Sequence, residues 1–200
     1  MPSVSVKDKV VLISGSNRGI GKSFAIQALE MGAKKVYAGA RDESTLAELV
    51  AQYGDKIAPL TLDVTNQDHI DAAAAAAGDV DILINNSGMG GGGPAVNNPN
   101  PAGQRMAMEV NYFGMMNMSS AFAPILKANG GGAIINILAV AALSNFAFAP
   151  GYSASKPAGR SLTQALRVEQ AAQNTLVSGV FPGPGDTAME KNVPMDKVSP

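Results

Sequence analysis

Val10-Val11-Leu12-Ile13-Ser14-Gly15-Ser16-Asn17-Arg18-Gly19-Ile20-Gly21 is the stretch whose reading decides the fold. Four consecutive apolar residues with no polar alternation predict a strand buried on both faces, the habit of parallel sheets. Three glycines then follow, at positions 15, 19 and 21. Gly15 suits a sharp turn, Gly19 lets backbone approach a ligand, and Gly21 lets a helix pack closely on the strand. A pyrophosphate placed there would meet the N–H groups and positive dipole end of the helix that begins. The glycine spacing is weak by itself, so the strand–turn–helix context carries the reading.

Outward from this turn the same alternation repeats. Strands are expected over 36–38, 57–62, 81–84, 133–138 and 176–181, and helices over 23–31, 44–53, 72–77, 102–127 and 152–173. A long Gly/Asn/Pro loop covers 88–100, and Pro124 falls near the end of the long helix. Strands alternating with helices through tight turns predict an α/β fold in three layers, a doubly wound parallel sheet of about six strands. No composition shift or repeat divides residues 1–200, so a single domain is expected.

Composition narrows the chemistry. The 200 residues contain no Cys and one His, and the formal charge is −1. Thiol nucleophiles, disulfides and Cys-ligated metals are therefore excluded, and no metal site is expected. His69 reads as part of a solvated helix start. The near-neutral charge and 5% aromatic content give no footing for nucleic acid. No apolar run reaches the ~20 residues of a membrane span, and no secretory leader is legible at the N-terminus. A cytoplasmic protein is expected.

The residue that reads a ribose should stand ~20 positions beyond the glycine turn. Here that count arrives at Gly39-Ala40-Arg41, with Asp42 and Glu43 placed to begin the next helix. Arg41 without a carboxylate at the strand end, with Arg18 inside the glycine turn, suits a 2′-phosphate and predicts NADP(H). Further along, Tyr152 and Lys156 stand at i and i+4, one helical turn apart. An ammonium beside a phenol favours the phenolate and draws the Tyr pKa down from ~10. Such a phenol can give a proton to a carbonyl oxygen or take it back. No other Tyr has Lys at i+4.

Together these motifs resemble those of the short-chain dehydrogenase/reductase family from about Val6 to Met189. Ser14 to Gly21 is similar to the family's Thr-Gly-x-x-x-Gly-x-Gly turn, with Ser14 for Thr. Leu62-Asp63-Val64, Asn85-Asn86-Ser87-Gly88, Asn111, Tyr152-Ser153-Ala154-Ser155-Lys156 and Pro182-Gly183 with Thr187 follow in family order. The resemblance implies a Rossmann-type fold and an oxidoreductase acting on a carbonyl or alcohol. It assigns catalysis to Tyr152, Lys156 and Asn111. It assigns cofactor binding to Gly15, Ser16, Asn17, Arg18, Gly19, Ile20, Gly21, Arg41, Asp63, Val64, Asn85, Ser87, Gly88, Tyr152, Lys156, Pro182, Gly183 and Thr187.

Three departures from the family pattern bear on function. The family's catalytic Ser stands 13 residues before the Tyr, and that position is Ala139. Loss of one such donor costs about 2.7–4 kcal/mol in turnover, so weakened activity is expected. An engineered change, a natural loss and replacement by another donor, Ser144 being nearest, all remain open. Pro157 follows Lys156 directly. It either interrupts a helix begun well before Tyr152 or falls in the first turn of one starting near Ser153 or Ser155. The chain is also short for the family, and the last helix and seventh strand are expected to be missing. Family dimers use the two long helices, which predicts a homodimer through 102–127 and 152–173. Two rival readings accompany the enzyme: a cofactor-binding sensor or scaffold, favoured by Ala139, and the cofactor-free dehalogenase branch, opposed by the glycine turn and Lys156.

Overall fold

The computed structural model describes residues 4–183, and the statements below concern those residues. Six strands, β1 (Val10–Ser14), β2 (Lys35–Ala40), β3 (Ile57–Thr61), β4 (Ile82–Asn85), β5 (Gly132–Ile137) and β6 (Thr175–Val180), form one sheet in the order β3-β2-β1-β4-β5-β6. Every pairing is parallel. Between them run α1 (Gly19–Glu30), α2 (Ala47–Tyr53), α3 (Gln67–Ala76), α4 (Pro101–Met108), α5 (Met115–Ala128) and α6 (Pro150–Glu169). This is the expected three-layer, doubly wound Rossmann-type fold.

The apolar run of β1 explains the layers. Val10 and Leu12 point to one side, into a core with Ile70 of α3, Phe122 and Leu126 of α5 and Leu166 of α6. Val11 and Ile13 point to the other side, into a core with Ala25 and Leu29 of α1 and Leu49 of α2. Alternation therefore feeds both cores, and a polar residue on either face would be buried without a partner. Pro59 is tolerated in β3 because that strand is an edge, paired only with β2.

Boundaries differ from expectation where polar residues shape the ends. The helix expected over 44–53 begins as a 3₁₀ turn, Glu43–Leu46, capped by Asp42 accepting from Ser44 N–H, and becomes α2 only at Ala47. The Ala-rich helix starts earlier than its alanines, because Asn66 caps it by accepting from Asp68 and His69 N–H. The long helix expected over 102–127 is split. A π-helical segment, Glu109–Gly114, separates α4 from α5, and a Cβ on Gly114 would lie 2.6 Å from Val64 Cγ2. Thr187 lies outside the described residues, as does the C-terminal stretch on which the expectation of a missing last helix and seventh strand rests.

Strand order reverses between β1 and β4, with β2 and β3 to one side and β5 and β6 to the other. In open parallel sheets that switch point opens a crevice beyond the carboxyl ends of the strands, where ligands bind.

Candidate active site

The crevice is first of all a braced backbone. Ser14, 1% exposed at the end of β1, accepts from the N–H groups of Asn86 and Ser87, both at 3.0 Å. Asn86 returns the contact, its Nδ2 donating to Ser14 O at 2.9 Å and Gly15 O at 3.1 Å. Gly15 and Gly19 take φ of 70° and 51°, conformations that a side chain would strain. A Cβ on Gly21 would stand 2.0 Å from Gly15 O and 2.4 Å from Asn86 Nδ2, so no side chain fits there. Arg18 leads into α1 in extended conformation, with no side-chain cap and no acid in the first turn. An uncapped helix start facing a glycine turn fits a pyrophosphate, so the residues present suit a dinucleotide.

Ser16 departs from expectation. Its hydroxyl donates to Ile13 O at 2.6 Å and its N–H to Gly39 O at 2.9 Å, with the residue fully buried. Neither donor is left for a phosphate. Gly15, Asn17, Arg18, Gly19, Ile20 and Gly21 remain as the turn's candidates for contact with a ligand. Arg18 and Arg41 are both exposed. The two carboxylates that follow Arg41 in the chain are engaged: Asp42 accepts from Ser44 N–H, and Glu43 accepts from the Thr61 hydroxyl at 2.6 Å.

Asp63, just beyond β3, is partly buried, which would raise its pKa. Hydrogen bonds from the Thr65 hydroxyl and N–H outweigh this, helped by the charges of Arg41 and His69, and hold its carboxyl below the usual range. His69 is not the solvated residue expected from its polar neighbours. Its Nδ1 accepts from Asp63 N–H at 3.2 Å, so the sole imidazole of the chain shapes the turn carrying Asp63 and Val64.

Asn85 also needs correction. At 4% exposure its Nδ2 donates to Ser119 Oγ at 3.0 Å and Asn136 Oδ1 at 2.9 Å, inside the protein. Asn136 continues to Thr163 Oγ1 at 2.9 Å, so this network ties β4 and β5 to α5 and α6. Asn85 Oδ1 is buried without a hydrogen-bond partner among the described residues. Asn85 thus orders the sheet, while Asn86 braces the crevice. Sequence reasoning had no signal to separate two adjacent asparagines; alternation along β4 does it.

On the other flank of the switch point, α6 begins at Pro150, and both Tyr152 and Lys156 lie within it. Pro157 is therefore inside the helix, beyond the first turn, and cannot donate to the carbonyl four residues back. Lys156 keeps its helical place nonetheless. Its Nζ donates to Ile137 O at 3.0 Å and sits 5.4 Å from the Tyr152 ring centroid. Burial disfavours the ammonium and lowers its pKa to about 8.

Asn111, in the π-helical segment, is a three-way clamp. Its Oδ1 accepts from Met89 N–H at 2.8 Å, and its Nδ2 donates to Met89 O at 2.9 Å and to Ser155 Oγ at 2.8 Å. The loop after β4 is thereby fastened to the helix that carries Tyr152. Ser155 donates onward to Tyr152 O at 2.8 Å. Met89 and Ser155 were not legible as site residues, because a backbone partner and a Ser within Tyr-x-x-x-Lys carry no signal of their own. A Cβ on Gly88 would lie 3.5 Å from Asn111 Oδ1 and 3.8 Å from Lys156 Nζ. Gly88 thus opens the place where the amide and the ammonium converge.

Ala139 follows β5, 6% exposed and extended, with Val140 N–H donating to Pro182 O at 3.0 Å. That bond lays Pro182 and Gly183 beside the site. Ser144 is exposed, in a bend whose N–H donates to Val140 O.

Fold and crevice define a doubly wound α/β protein with a glycine turn on one side of its switch point and a Tyr–Lys helix on the other. The chain belongs to the short-chain dehydrogenase family, whose profile matches residues 9–197. It is 32% identical over 181 residues to 7alpha-hydroxysteroid dehydrogenase of Escherichia coli, covering 88% of this chain and 70% of that protein. A short chain dehydrogenase from Burkholderia cenocepacia, solved in complex with NADP, superposes with a TM-score of 0.92 at 39% identity, covering 98% of this chain and 80% of the other. A 7 alpha-hydroxysteroid dehydrogenase complexed with NADH and 7-oxo glycochenodeoxycholic acid gives 0.87 at 30% identity, over 98% and 79% of the two chains.

Proposed function

We propose that this chain is a single-domain NADP(H)-dependent oxidoreductase acting on a carbonyl or secondary alcohol, slowed by Ala139 in place of a hydroxyl donor. The observation that carries the reading is the convergence at Gly88 of Asn111 and Lys156, beside the helix bearing Tyr152 and across the crevice from the glycine turn. When bound, the nicotinamide supplies or accepts hydride at the substrate carbon. Gly15, Asn17, Arg18, Gly19, Ile20 and Gly21 would hold the pyrophosphate. Asp63 and Val64 would face the adenine, and Ser87, Gly88, Pro182, Gly183 and Thr187 the nicotinamide end.

Tyr152 gives its phenolic proton to the carbonyl oxygen in reduction and takes it back in oxidation. Lys156 favours the phenolate by its charge, and its remaining N–H groups can hold ribose hydroxyls. Asn111 keeps the loop at Met89 fixed against the helix. Ala139 offers no hydrogen bond to the substrate oxygen, a loss of about 10²–10³ in rate. The NADP(H) preference rests on Arg18 and Arg41, both exposed, and on the engagement of Asp42 and Glu43 elsewhere.

Fluorescence titration with NADPH and NADH tests the reading. NADPH is expected to bind the more tightly, and Arg41→Ala to erase most of the difference. Binding of neither dinucleotide would sink the proposal. A second reading, a sensor or scaffold that binds NADPH without turning over, is favoured by Ala139 alone. It predicts no NADPH consumption even after Ala139→Ser.

No described helix is long and apolar enough to cross a membrane, and we place the protein in the cytoplasm. The exposed Met106, Phe113, Met116 and Val168, on the segments from α4 to α5 and on α6, support a homodimer through the long helices. Light scattering should give a monodisperse dimer; a tetramer would refute that assembly.

A further inference from the structure

The two segments that frame Tyr152 carry a chemical message beyond the reaction type. From Ile82 to Gln104, and again from Ala128 to Ser155, the sequence contains no Asp, Glu, Lys, Arg or His. The first stretch includes the loop after β4. A Cβ on Gly91 would lie 3.5 Å from Tyr152 N, so this loop runs directly beside the tyrosine. The second joins β5 to α6 and leads from Ala139 to Tyr152. A substrate lying against these walls meets no counter-charge from them. A carboxylate or phosphate brought there would be desolvated with no counter-charge from either segment, and the nearby ammonium of Lys156 already donates to Ile137 O.

The second segment is also aromatic in a specific way. Phe146 and Phe148 stack with centroids 5.5 Å apart and planes 7° from parallel. Phe148, four residues before Tyr152, is 51% exposed, and Leu143, nine before it, is 62% exposed, so the segment leading to the tyrosine turns apolar surface outward. The ledge is anchored: Phe146 N–H donates to Ser153 Oγ at 2.9 Å, and that hydroxyl bonds back to Phe146 O at 3.3 Å. In the loop that passes Tyr152, Cβ atoms on Gly90 and Gly92 would meet nothing within 4 Å, so that wall presents no side chain at these positions.

Resting on the oxidoreductase reading above, we infer that the substrate is a neutral ketone or alcohol carried on an aromatic ring, which lies on the ledge of Phe146 and Phe148. Aromatic faces attract one another in offset stacks, so the outer face of the pair can take a third ring. The ring is then held next to Tyr152 by surface that is already ordered.

Two ligands of one shape separate charge from size: 4-methylacetophenone and 4-acetylbenzoate, which differ in a methyl against a carboxylate. Each is titrated calorimetrically into the protein saturated with the unreactive 1,4,5,6-tetrahydro form of NADP, whose ring is uncharged, so the readout is binding and not turnover. The neutral ketone is expected to bind at least about tenfold more tightly, since nothing in the walls compensates the buried carboxylate. Phe148→Ala should weaken its binding about 3–10-fold, and Phe148→Tyr should restore it. NADPH titration of each variant reports that the fold is intact. Equal or tighter binding of 4-acetylbenzoate, or unchanged ketone affinity in Phe148→Ala, overturns the inference alone. Failure of the wild-type protein to bind either dinucleotide overturns the functional reading, and this inference with it.

Discussion

The two flanks of the switch point are built to different standards of rigidity. Around the glycine turn, Ser14, Ser16 and Asn86 use their polar groups to fasten backbone to backbone, and Gly21 lies too close to Gly15 for any side chain. Around Tyr152 the tyrosine helix is held by Asn111 and Ser153, but the adjoining walls are glycine-rich or apolar and exposed. The difference teaches where this chain spends its polar contacts. The flank that fits a dinucleotide is over-determined, and the flank beside Tyr152 is held at a few pins.

The largest effect that would test this contrast is on the substrate flank. Tyr152→Phe keeps the ring and removes the proton, so turnover should fall about 10²–10⁴-fold while NADPH affinity stays near wild type. Turnover within about tenfold of wild type would take the proton transfer away from Tyr152. On the braced flank, Gly21→Val should abolish dinucleotide binding and lower the melting temperature, because its Cβ has no space between Gly15 O and Asn86 Nδ2. Near-native melting with normal binding would show that the two flanks are equally tolerant.

Smaller effects sharpen the same comparison. Ser14→Ala leaves the N–H groups of Asn86 and Ser87 without their acceptor and should cost about 1–3 kcal/mol in denaturant unfolding. Ser14→Thr, which keeps the hydroxyl, should stay close to wild type. Lys156 supplies a pH signature. Its folded pKa, about 8, lies below its unfolded value of 10.5, so between those values the unfolded chain binds more protons. The cost of burying the ammonium is fully present below about pH 8 and is relieved as pH rises toward 10.5. Wild type should therefore gain stability relative to Lys156→Met across that window, as read by urea midpoints at several pH values. A gap constant with pH would mean that Lys156 titrates alike in both states.

What was legible in the sequence follows the same division. Apolar runs located all six strands to within two residues, most sharply β1, whose burial on both faces leaves no other pattern. The glycine turn was readable because only glycine meets its geometry. Side-chain roles inside the core were less so. Asn85 and Ser16 sit within cofactor motifs yet point into the protein, where alternation and local turns send them. The clamp from Asn111 to Met89 and Ser155 depends on a π-helical segment and a distant loop, which no local periodicity announces. His69 looked solvated by its neighbours but receives Asp63 N–H through the turn between them.

The central claim is that the dinucleotide flank is complete and that Ala139 limits the chemistry. Single-turnover consumption of NADPH by wild type and Ala139→Ser, at saturating dinucleotide and with a common aryl ketone, tests it most directly. The account predicts unchanged NADPH affinity and a rate that rises about 10²–10³-fold. Failure to bind NADPH, or a rise of less than about tenfold on the same scale, would contradict it.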